Sequence, residues 1–518
     1  MVPAFAHKVM HAWAKSVTPA HASTVRLGQH PIHCLIPRRA PTTHALPDGR
    51  GYPLMDEPIR SLEAHLNKIG TTVVLIGAEA LSRRHPGEHP DNFGAGAMAL
   101  PETAEGAAAV ISWCADAGVP VVPQGGRTGL VGGSVSKPGE IILSSERLTQ
   151  IELIDPVARI AVVQSGVTLQ RLQEAAAPYG LAPGIDLAAR GSATIGGMVS
   201  TNAGGILAFR NGVMRHQVLG IEAVLPDGRI FSDLTRVVKA SAGPDMKQLL
   251  VGAEGAYGFV TRVVVKLETL STARATALLA VPNAVAALTV VGHLQGVAAV
   301  TLEGAELMWR QYFLDSARVH DFDMQWLEGE IESILLVEIS GESVERATAE
   351  LERALEAVWE EAGLTGGIVA QSLDQARKFW SLREESEFIY RLHPNAPSFD
   401  VSIPPGAVDG YVATLRQRLA SVGSGLDAYV YGHIADGNLH LSVIGDGADA
   451  AGNRAAVEDA VYTGITDLGG SFSAEHGVGT EKRDAYHLHG NPERRAVAQA
   501  IKAALDPKMI FNPGKVPF

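Results

Sequence analysis

Cysteine is nearly absent from this chain. Two thiols in 518 residues, Cys34 and Cys114, cannot build a disulfide framework. Such usage suits a reduced intracellular compartment, so a cytoplasmic protein is expected. Long apolar runs are missing too. The nearest, Val281–Leu302, is interrupted by Pro282, His293 and Gln295, and no run reaches the ~20 residues of a membrane span. Basic charge is scarce outside the N-terminus. Residues 1–50 hold six Lys/Arg and one acid, Asp48, which leaves 37 Lys/Arg against 55 Asp/Glu, or −18, on the rest. So acidic a body lacks the basic face that nucleic acid requires and is repelled by anionic membrane surfaces.

What is present is a large apolar share, 46% hydrophobic against 19% charged, and 55 glycines without collagen spacing. The length suggests about three domains. Residues 1–54 differ from the rest, with six of the 18 histidines and almost no acids. We read them as a disordered tail, or as translation upstream of a true start at Met55. The less favoured reading is an organellar presequence, which would make the destination mitochondrial. This segment is set aside from fold reasoning.

Pattern along the body predicts helices at Glu57–Ile69, Glu102–Ala117 and Thr168–Tyr179. It predicts strands at Ala97–Leu100, Val119–Pro123, Ile141–Leu143, Ile151–Ile154 and Ile160–Gln164, and a hairpin through residues 225–229. Beyond about residue 270 strands and helices alternate: strands at Val297–Glu303, Ile334–Ile339, Gly367–Ala370 and Phe399–Ile403, helices at Ser343–Ala362, Leu373–Arg391 and Val408–Leu419. Tyr429–Ile434 and Asn438–Ile444 form a hairpin-like pair, giving α+β texture with antiparallel parts.

Three glycine-dense loops stand out. PQGGRTGLVGGS, residues 123–134, carries Gly125, Gly126, Gly129, Gly132 and Gly133. Its amides can form a nest for a diphosphate, with Arg127, Thr128 and Ser134 as further donors. It has neither G-x-G-x-x-G spacing nor the G-K-[ST] of a P-loop, and alone it could equally be a surface loop. PGIDLAARGSATIGGMVSTNAGG, residues 183–205, and GAEGAYGF, residues 252–259, supply the other two. Three such loops separated by strands suggest one long ligand with the length of flavin adenine dinucleotide.

These stretches, with GHIADGNLH (432–440), SAEHGVG (473–479) and the ending LDPKMIFNPGK, closely resemble the flavoproteins that oxidise D-2-hydroxy acids, the D-lactate and D-2-hydroxyglutarate dehydrogenases, within the vanillyl-alcohol oxidase fold. The resemblance runs from about residue 56 to the end. It implies an α+β architecture: a p-cresol methylhydroxylase-type FAD-binding domain, then an α+β FAD-linked oxidase C-terminal cap. The domains expected are a helical lead-in at 55–91, an FAD-binding domain at 92–270, and a substrate cap at 271–518 whose last segment returns to FAD. The implied cofactor residues are Pro123, Gly125, Gly126, Arg127, Thr128, Gly129, Leu130, Gly133 and Ser134 in the first loop. In the second they are Gly191, Ser192, Ile195, Gly196, Gly197, Ser200, Thr201, Asn202 and Gly204. Glu254, Gly258, Val260 and Asn512 would border the remainder. The first loop has no histidine, so FAD is expected to be non-covalent.

His433 and His440 flank one strand–turn–strand unit with Asp436–Gly437 at the bend, so both imidazoles can face one side. Glu475 adds a carboxylate from a separate strand end. Two imidazoles and a carboxylate suit zinc or another divalent metal. His476, its neighbour, would point the other way in an extended segment and is the better candidate for a base, since imidazole titrates near neutrality. A histidine taken alone more often fills a core; it is the grouping in two glycine-flanked stretches, with the resemblance, that favours a functional reading. Oxidising a 2-hydroxy acid on a flavin requires a hydride to leave the α-carbon for N5 while the hydroxyl proton goes to a base. By resemblance, Arg383 in FWSLREESEF would grip the substrate carboxylate; the plain alternative is an exposed helix arginine beside Glu384 and Glu385.

Three departures bear on the substrate. Where the hydroxyglutarate enzymes hold the distal carboxylate with lysine, the matching residue is Ser398. Glu387 stands in place of a threonine, and Ser442 in place of an asparagine. A D-lactate-like monocarboxylate is therefore favoured. D-2-hydroxyglutarate stays open through Arg377, Lys378 or Arg391. The electron acceptor would be an electron-transfer flavoprotein or a quinone, and a homodimer is left open. The competing functions are an oxygen-using oxidase of alcohols or sugar lactones, a metal-dependent hydrolase, and a non-catalytic flavoprotein subunit.

Overall fold

The computed structural model describes residues 56–327, 329–448 and 452–516. The atypical segment 1–54, Cys34 included, lies outside them. Two compact units divide the chain. One runs to Leu270 and resumes at Glu475; the other is Ser271–Ala474.

In the first unit, β-branched runs make two sheets. The smaller has strand order β1 (Val73–Gly77), β2 (Ala97–Pro101), β4 (Ile141–Ser144), β3 (Val121–Gln124). β2 and β3 both run parallel to β4, and β1 is antiparallel to β2. The helix Ala104–Ala117 returns the chain between β2 and β3. Thr103 caps its start by accepting from Gly106 N–H, and Gly118 ends it at φ 66°. Its buried face, with Val110, Ile111 and Cys114, packs in one core with Ala99, Val121, Leu143 and Phe511. Burial pushes the Cys114 thiol up to about 12, which leaves it an inert core group.

The larger sheet runs β5 (Ile151–Asp155), β6 (Ile160–Gln164), β10 (Phe259–Thr269), β8 (Val218–Val224), β9 (Ile230–Asp233), with β7 (Leu181–Pro183) on β10. The C-terminal stretch joins this unit through backbone. Val121 and Phe511 form a parallel bridge, and Asn512 N–H donates to Val121 O at 2.7 Å.

The second unit is built on one antiparallel sheet. Its order is β14 (Gly366–Val369), β11 (Arg274–Val281), β13 (Ser333–Ser340), β12 (Thr301–Trp309), β16 (Asp427–His433), β17 (Asn438–Ile444), β15 (Ser398–Ser402). Register aligns Glu306 with His433, Tyr431 and Asp400 with His440, and Ser398 with Ser442. Residues opposite one another share a face, and alternate residues along a strand share it too. One face therefore carries Glu306, Tyr431, His433, Asp400, His440, Ser398 and Ser442.

Several expectations need correction. The lead-in is not wholly helical, because β1 follows the helix Asp56–Lys68. The apolar run from Val281 contains a helix, Ala284–Gln295, capped by Asn283, and the strand expected from Val297 begins at Thr301 and continues to Trp309. The helix expected over Leu373–Arg391 ends at Glu384 and restarts at Phe388. Acidic Glu384 and Glu385 at that end oppose the helix dipole. Residues 474–476 are bends rather than a strand end.

Candidate active site

On the histidine-bearing face, His433 and His440 lie diagonally across β16 and β17, with ring centroids 5.4 Å apart. Gly437, at φ 76°, closes the turn between them. Glu306 faces both His433 and Arg383. Its Oε1 lies 2.6 Å from His433 Nδ1, and its Oε2 accepts from Arg383 Nε at 2.7 Å. A carboxylate on Nδ1 holds the proton there and leaves the Nε2 lone pair for a ligand-binding role. Burial alone would raise the Glu306 carboxyl, but His433 and Arg383 outweigh it and hold it below the usual range.

Arg383 is 8% exposed, so it is not a solvated helix arginine. Its guanidinium lies over the Tyr431 ring at 4.8 Å, and Tyr312 O–H donates to its carbonyl. The bond to Glu306 uses one of its five N–H groups. Beside His440, Asp400 is fully buried, 3.9 Å from His440 Nδ1; it accepts from Asn438 Nδ2 at 2.8 Å and from Ala474 N–H at 3.0 Å. The residue peptide-bonded to Ala474 is Glu475. Further along this face, Ser398 Oγ sits 2.7 Å from Tyr390 O–H and 3.0 Å from Ser442 Oγ. Glu387, Arg377, Lys378 and Arg391 are all exposed.

In the other unit, Glu475 accepts from Gly205 N–H. A Cβ on Gly204 would stand 2.8 Å from Glu475 Oε1, so Gly204 gives this carboxylate room. His476 follows, partly exposed.

The glycine loops interlock. A Cβ on Gly126 would strike Ser192 O at 1.9 Å, and one on Gly125 would strike Thr194 Oγ1 at 2.4 Å; Gly129 faces open space. Arg127 holds φ 56°, and its Nη1 donates to Glu146 at 2.6 Å, a carboxylate shared with Arg84. Its guanidinium is thus engaged, and its Nε is buried without a partner. The loop can offer an anion its backbone amides and that Nε. Ser200 and Thr201 turn their hydroxyls back to Gly196 O and Gly197 O in their own helix, and Asn202 Oδ1 accepts from Arg215 N–H in the first turn of the helix Met214–Gln217, so these three side chains are engaged with backbone. Ile195 and Val260 are core, and Gly258 approaches Val224 O. Pro123 packs on Gly255, and Gly133 lies near Glu254 Oε2. Ser134 O accepts from Gln124 Nε2, and Gly191 faces Gln170. A nest of amides beside an unpartnered buried N–H and an open glycine edge fits a cofactor diphosphate.

Comparison with known proteins agrees. An FAD binding domain model matches residues 95–233, and the C-terminal domain model of FAD linked oxidases matches 270–516. The zebrafish (Danio rerio) protein named mitochondrial D-2-hydroxyglutarate dehydrogenase is 34% identical over 80% of this chain and 77% of its own. The D-2-hydroxyglutarate dehydrogenase of Xanthomonas citri pv. viticola is 34% identical over 81% and 89%. The chain belongs to the FAD-linked oxidase family that contains the D-2-hydroxyglutarate dehydrogenases. It is an FAD-dependent oxidoreductase. Among solved structures it is similar to p-cresol methylhydroxylase with substrate bound, at TM-score 0.66 and 16% identity over 91% of this chain and 98% of the other. It is also similar to 4-ethylphenol oxidase from Gulosibacter chungangensis, at 0.65 and 19% over the same shares. Those two carry the fold alone, which is the fold expected from the sequence.

In this FAD-linked oxidase, sequence reasoning missed Glu306 and Asp400. Asp400 is the single acid of SFDVS, and Glu306 is one of two buried acids, with Glu303, in the otherwise apolar or small strand TLEGAELMW. An acid at a position destined for burial is the one signal that could have marked them. No helix among the described residues is long and apolar enough to cross a membrane.

Proposed function

We propose that this oxidoreductase converts a D-2-hydroxy acid to its 2-oxo acid, with FAD bound at the glycine loops and a divalent metal, zinc by donor chemistry, held by His433, His440 and Glu475. The observation that supports this most is the Glu306 carboxylate set between His433 and a buried Arg383, on the face that carries His440. Bound FAD supplies the electron-pair acceptor. A metal on the two imidazoles would lower the pKa of the substrate hydroxyl. His476 takes the hydroxyl proton. Arg383 grips the substrate carboxylate through guanidinium N–H groups not used by Glu306. Glu306 holds His433 in the tautomer that offers Nε2, and Asp400 restrains the His440 side of the pair. Electrons then pass to an acceptor such as an electron-transfer flavoprotein or a quinone.

For the substrate we favour a D-lactate-like monocarboxylate, because Ser398 and Ser442 offer hydroxyls and no positive charge. D-2-hydroxyglutarate is the second reading, favoured by the names of the relatives. Anaerobic bleaching of the bound flavin against a panel of D- and L-2-hydroxy acids tests both. Bleaching by D isomers alone is expected, fastest with D-lactate. No bleaching by any member would remove the reading, and bleaching by D-2-hydroxyglutarate alone would reverse the substrate preference.

A further inference from the structure

The sequence SAEHGVG reaches His476 through a segment with no regular hydrogen-bonded structure, so something else must hold that imidazole in place. Two anchors lie within the same unit. The carbonyl of Val131, in the first glycine loop, accepts from Thr480 N–H at 2.9 Å and from Glu481 N–H at 3.2 Å. The Glu254 carboxylate, in the third loop, accepts from Val478 N–H at 2.7 Å and from Gly479 N–H at 2.8 Å, one oxygen each. Gly479, at φ 51°, brings its backbone so close to Val131 O that a Cβ would stand 2.0 Å away, and a Cβ on Gly477, at φ 80°, would stand 2.6 Å from Glu254 Oε1.

Glu254 is itself braced. It is one of the few non-glycine residues at positive φ, 48°, a costly conformation for a side-chain-bearing residue. Its carbonyl accepts from Asn512 Nδ2 at 2.6 Å, and Asn512 Oδ1 accepts from buried Lys515 Nζ at 2.6 Å. Asn512 N–H is fixed on β3. A continuous set of hydrogen bonds thus runs from Lys515 through Asn512 and Glu254 to the two amides just past His476.

We infer that Glu254 is a positioning residue for His476, clamping the loop that carries the base, and not primarily a contact of the cofactor. This rests on His476 being the base, as proposed above. A carboxyl group suits the task, because two parallel N–H groups need two acceptor oxygens on one rigid group; burial pushes the Glu254 carboxyl up, and the amides of Val478 and Gly479 oppose that push. A base displaced by a fraction of an ångström loses rate without losing substrate affinity.

The test uses full-length, FAD-loaded enzyme carrying Glu254→Gln, which keeps the shape but turns an NH2 group toward one of the donors. FAD content is read by absorbance, KM by steady-state turnover, and the limiting rate by anaerobic flavin bleaching with D-lactate and, separately, D-2-hydroxyglutarate. The expected result is FAD content and KM within about twofold of wild type and a limiting rate lower by about 10- to 100-fold. Gly477→Ala, which pushes on the same carboxylate from the loop side, should give the same split and serves where Glu254→Gln does not fold. A limiting rate within twofold of wild type in the folded variants overturns the inference. So does loss of FAD with an unchanged rate per bound flavin, which would make Glu254 a cofactor ligand. His476→Ala run in parallel isolates the underlying reading: bleaching at the full rate in that variant removes the base itself, and the positioning role with it.

Discussion

Glu306→Gln should destabilise the Ser271–Ala474 unit more than any surface substitution, and the reason can be worked in numbers. Glu306 is 1% exposed and Arg383 8%, with 2.7 Å between Oε2 and Nε. Two unit charges about 4 Å apart at an effective dielectric of about 20 interact by roughly 4 kcal/mol. Removing one partner of a buried pair typically costs about 3–5 kcal/mol, since the other charge stays desolvated. The two figures agree, and they take up much of a usual folding stability of about 5–15 kcal/mol. Glutamine adds a further conflict, because its NH2 must face either Arg383 Nε–H, a donor against a donor, or His433 Nδ1, which can accept only in the tautomer that gives up the free Nε2. Urea unfolding followed by tryptophan emission is the assay, with four of the six tryptophans, Trp309, Trp326, Trp359 and Trp380, in this unit. The expected loss is about 3–5 kcal/mol. Adding Arg383→Met should recover about 1–3 kcal/mol of it, because the stranded cation is gone. A single-variant loss below about 1 kcal/mol, the value of an exposed ion pair, would refute the reasoning. Strict additivity in the double variant would refute it as well.

Purified enzyme should carry about one divalent metal per chain by elemental analysis, and His440→Ala should lower metal content and turnover together; wild-type protein stripped of metal that turns over at full rate would end the metal assignment. Burial lowers the Lys515 ammonium from 10.5 to about 8. Between those two pH values the unfolded chain holds a proton that the folded one has released, so stability rises with pH across that window. The variant Lys515→Met lacks this dependence, and the stability of wild type relative to it should climb by up to about 3 kcal/mol from pH 8 to pH 10.5 in urea titrations, a flat difference being the contrary result.

How much of the site the sequence disclosed depended on the range of the interaction. His433 and His440 were legible because one hairpin with a two-fold period and a glycine at its bend places both, and everything needed lies within eight residues. Glu306 and Asp400 were not, because their meaning comes from register. Glu306 faces His433 only once β12 pairs with β16, 127 residues apart. Nothing local to TLEGAELMW specifies that partner. Sequence pattern assigns the run from Val281 no element, for a related reason. Alanine, valine and leucine fill the strand Arg274–Val281 and the helix Ala284–Gln295 alike, and only Pro282 and the Asn283 cap divide them. Arg383 is named only through the resemblance, because its neighbours point elsewhere. Beside Glu384 and Glu385 it reads as a solvated helix face, yet Leu382 and Arg383 turn inward as the helix ends.

Glycine count is a poor measure of ligand contact in this fold, and the three loops show why. The sequence presents Gly125, Gly126, Gly196, Gly204, Gly255 and Gly258 as equivalent invitations to a cofactor. Their surroundings sort them differently. Gly125 and Gly126 let the first loop lie against the backbone of the second, Gly196 lies on Ser165, Gly204 on Glu475, Gly255 on Pro123, and Gly258 on Val224 O. Each absent side chain is explained by a protein neighbour, whereas Gly129 alone in the first loop faces open space. A substitution to alanine should therefore fail by different routes at the two kinds of position. At Gly126 the Cβ would meet a backbone oxygen that cannot move without separating the loops, so folding suffers first. At Gly129 the added methyl meets no protein atom, so folding is spared and any loss must come from whatever occupies that space. The two failures separate a glycine kept for packing from one kept for a ligand, a distinction that spacing in the sequence does not encode.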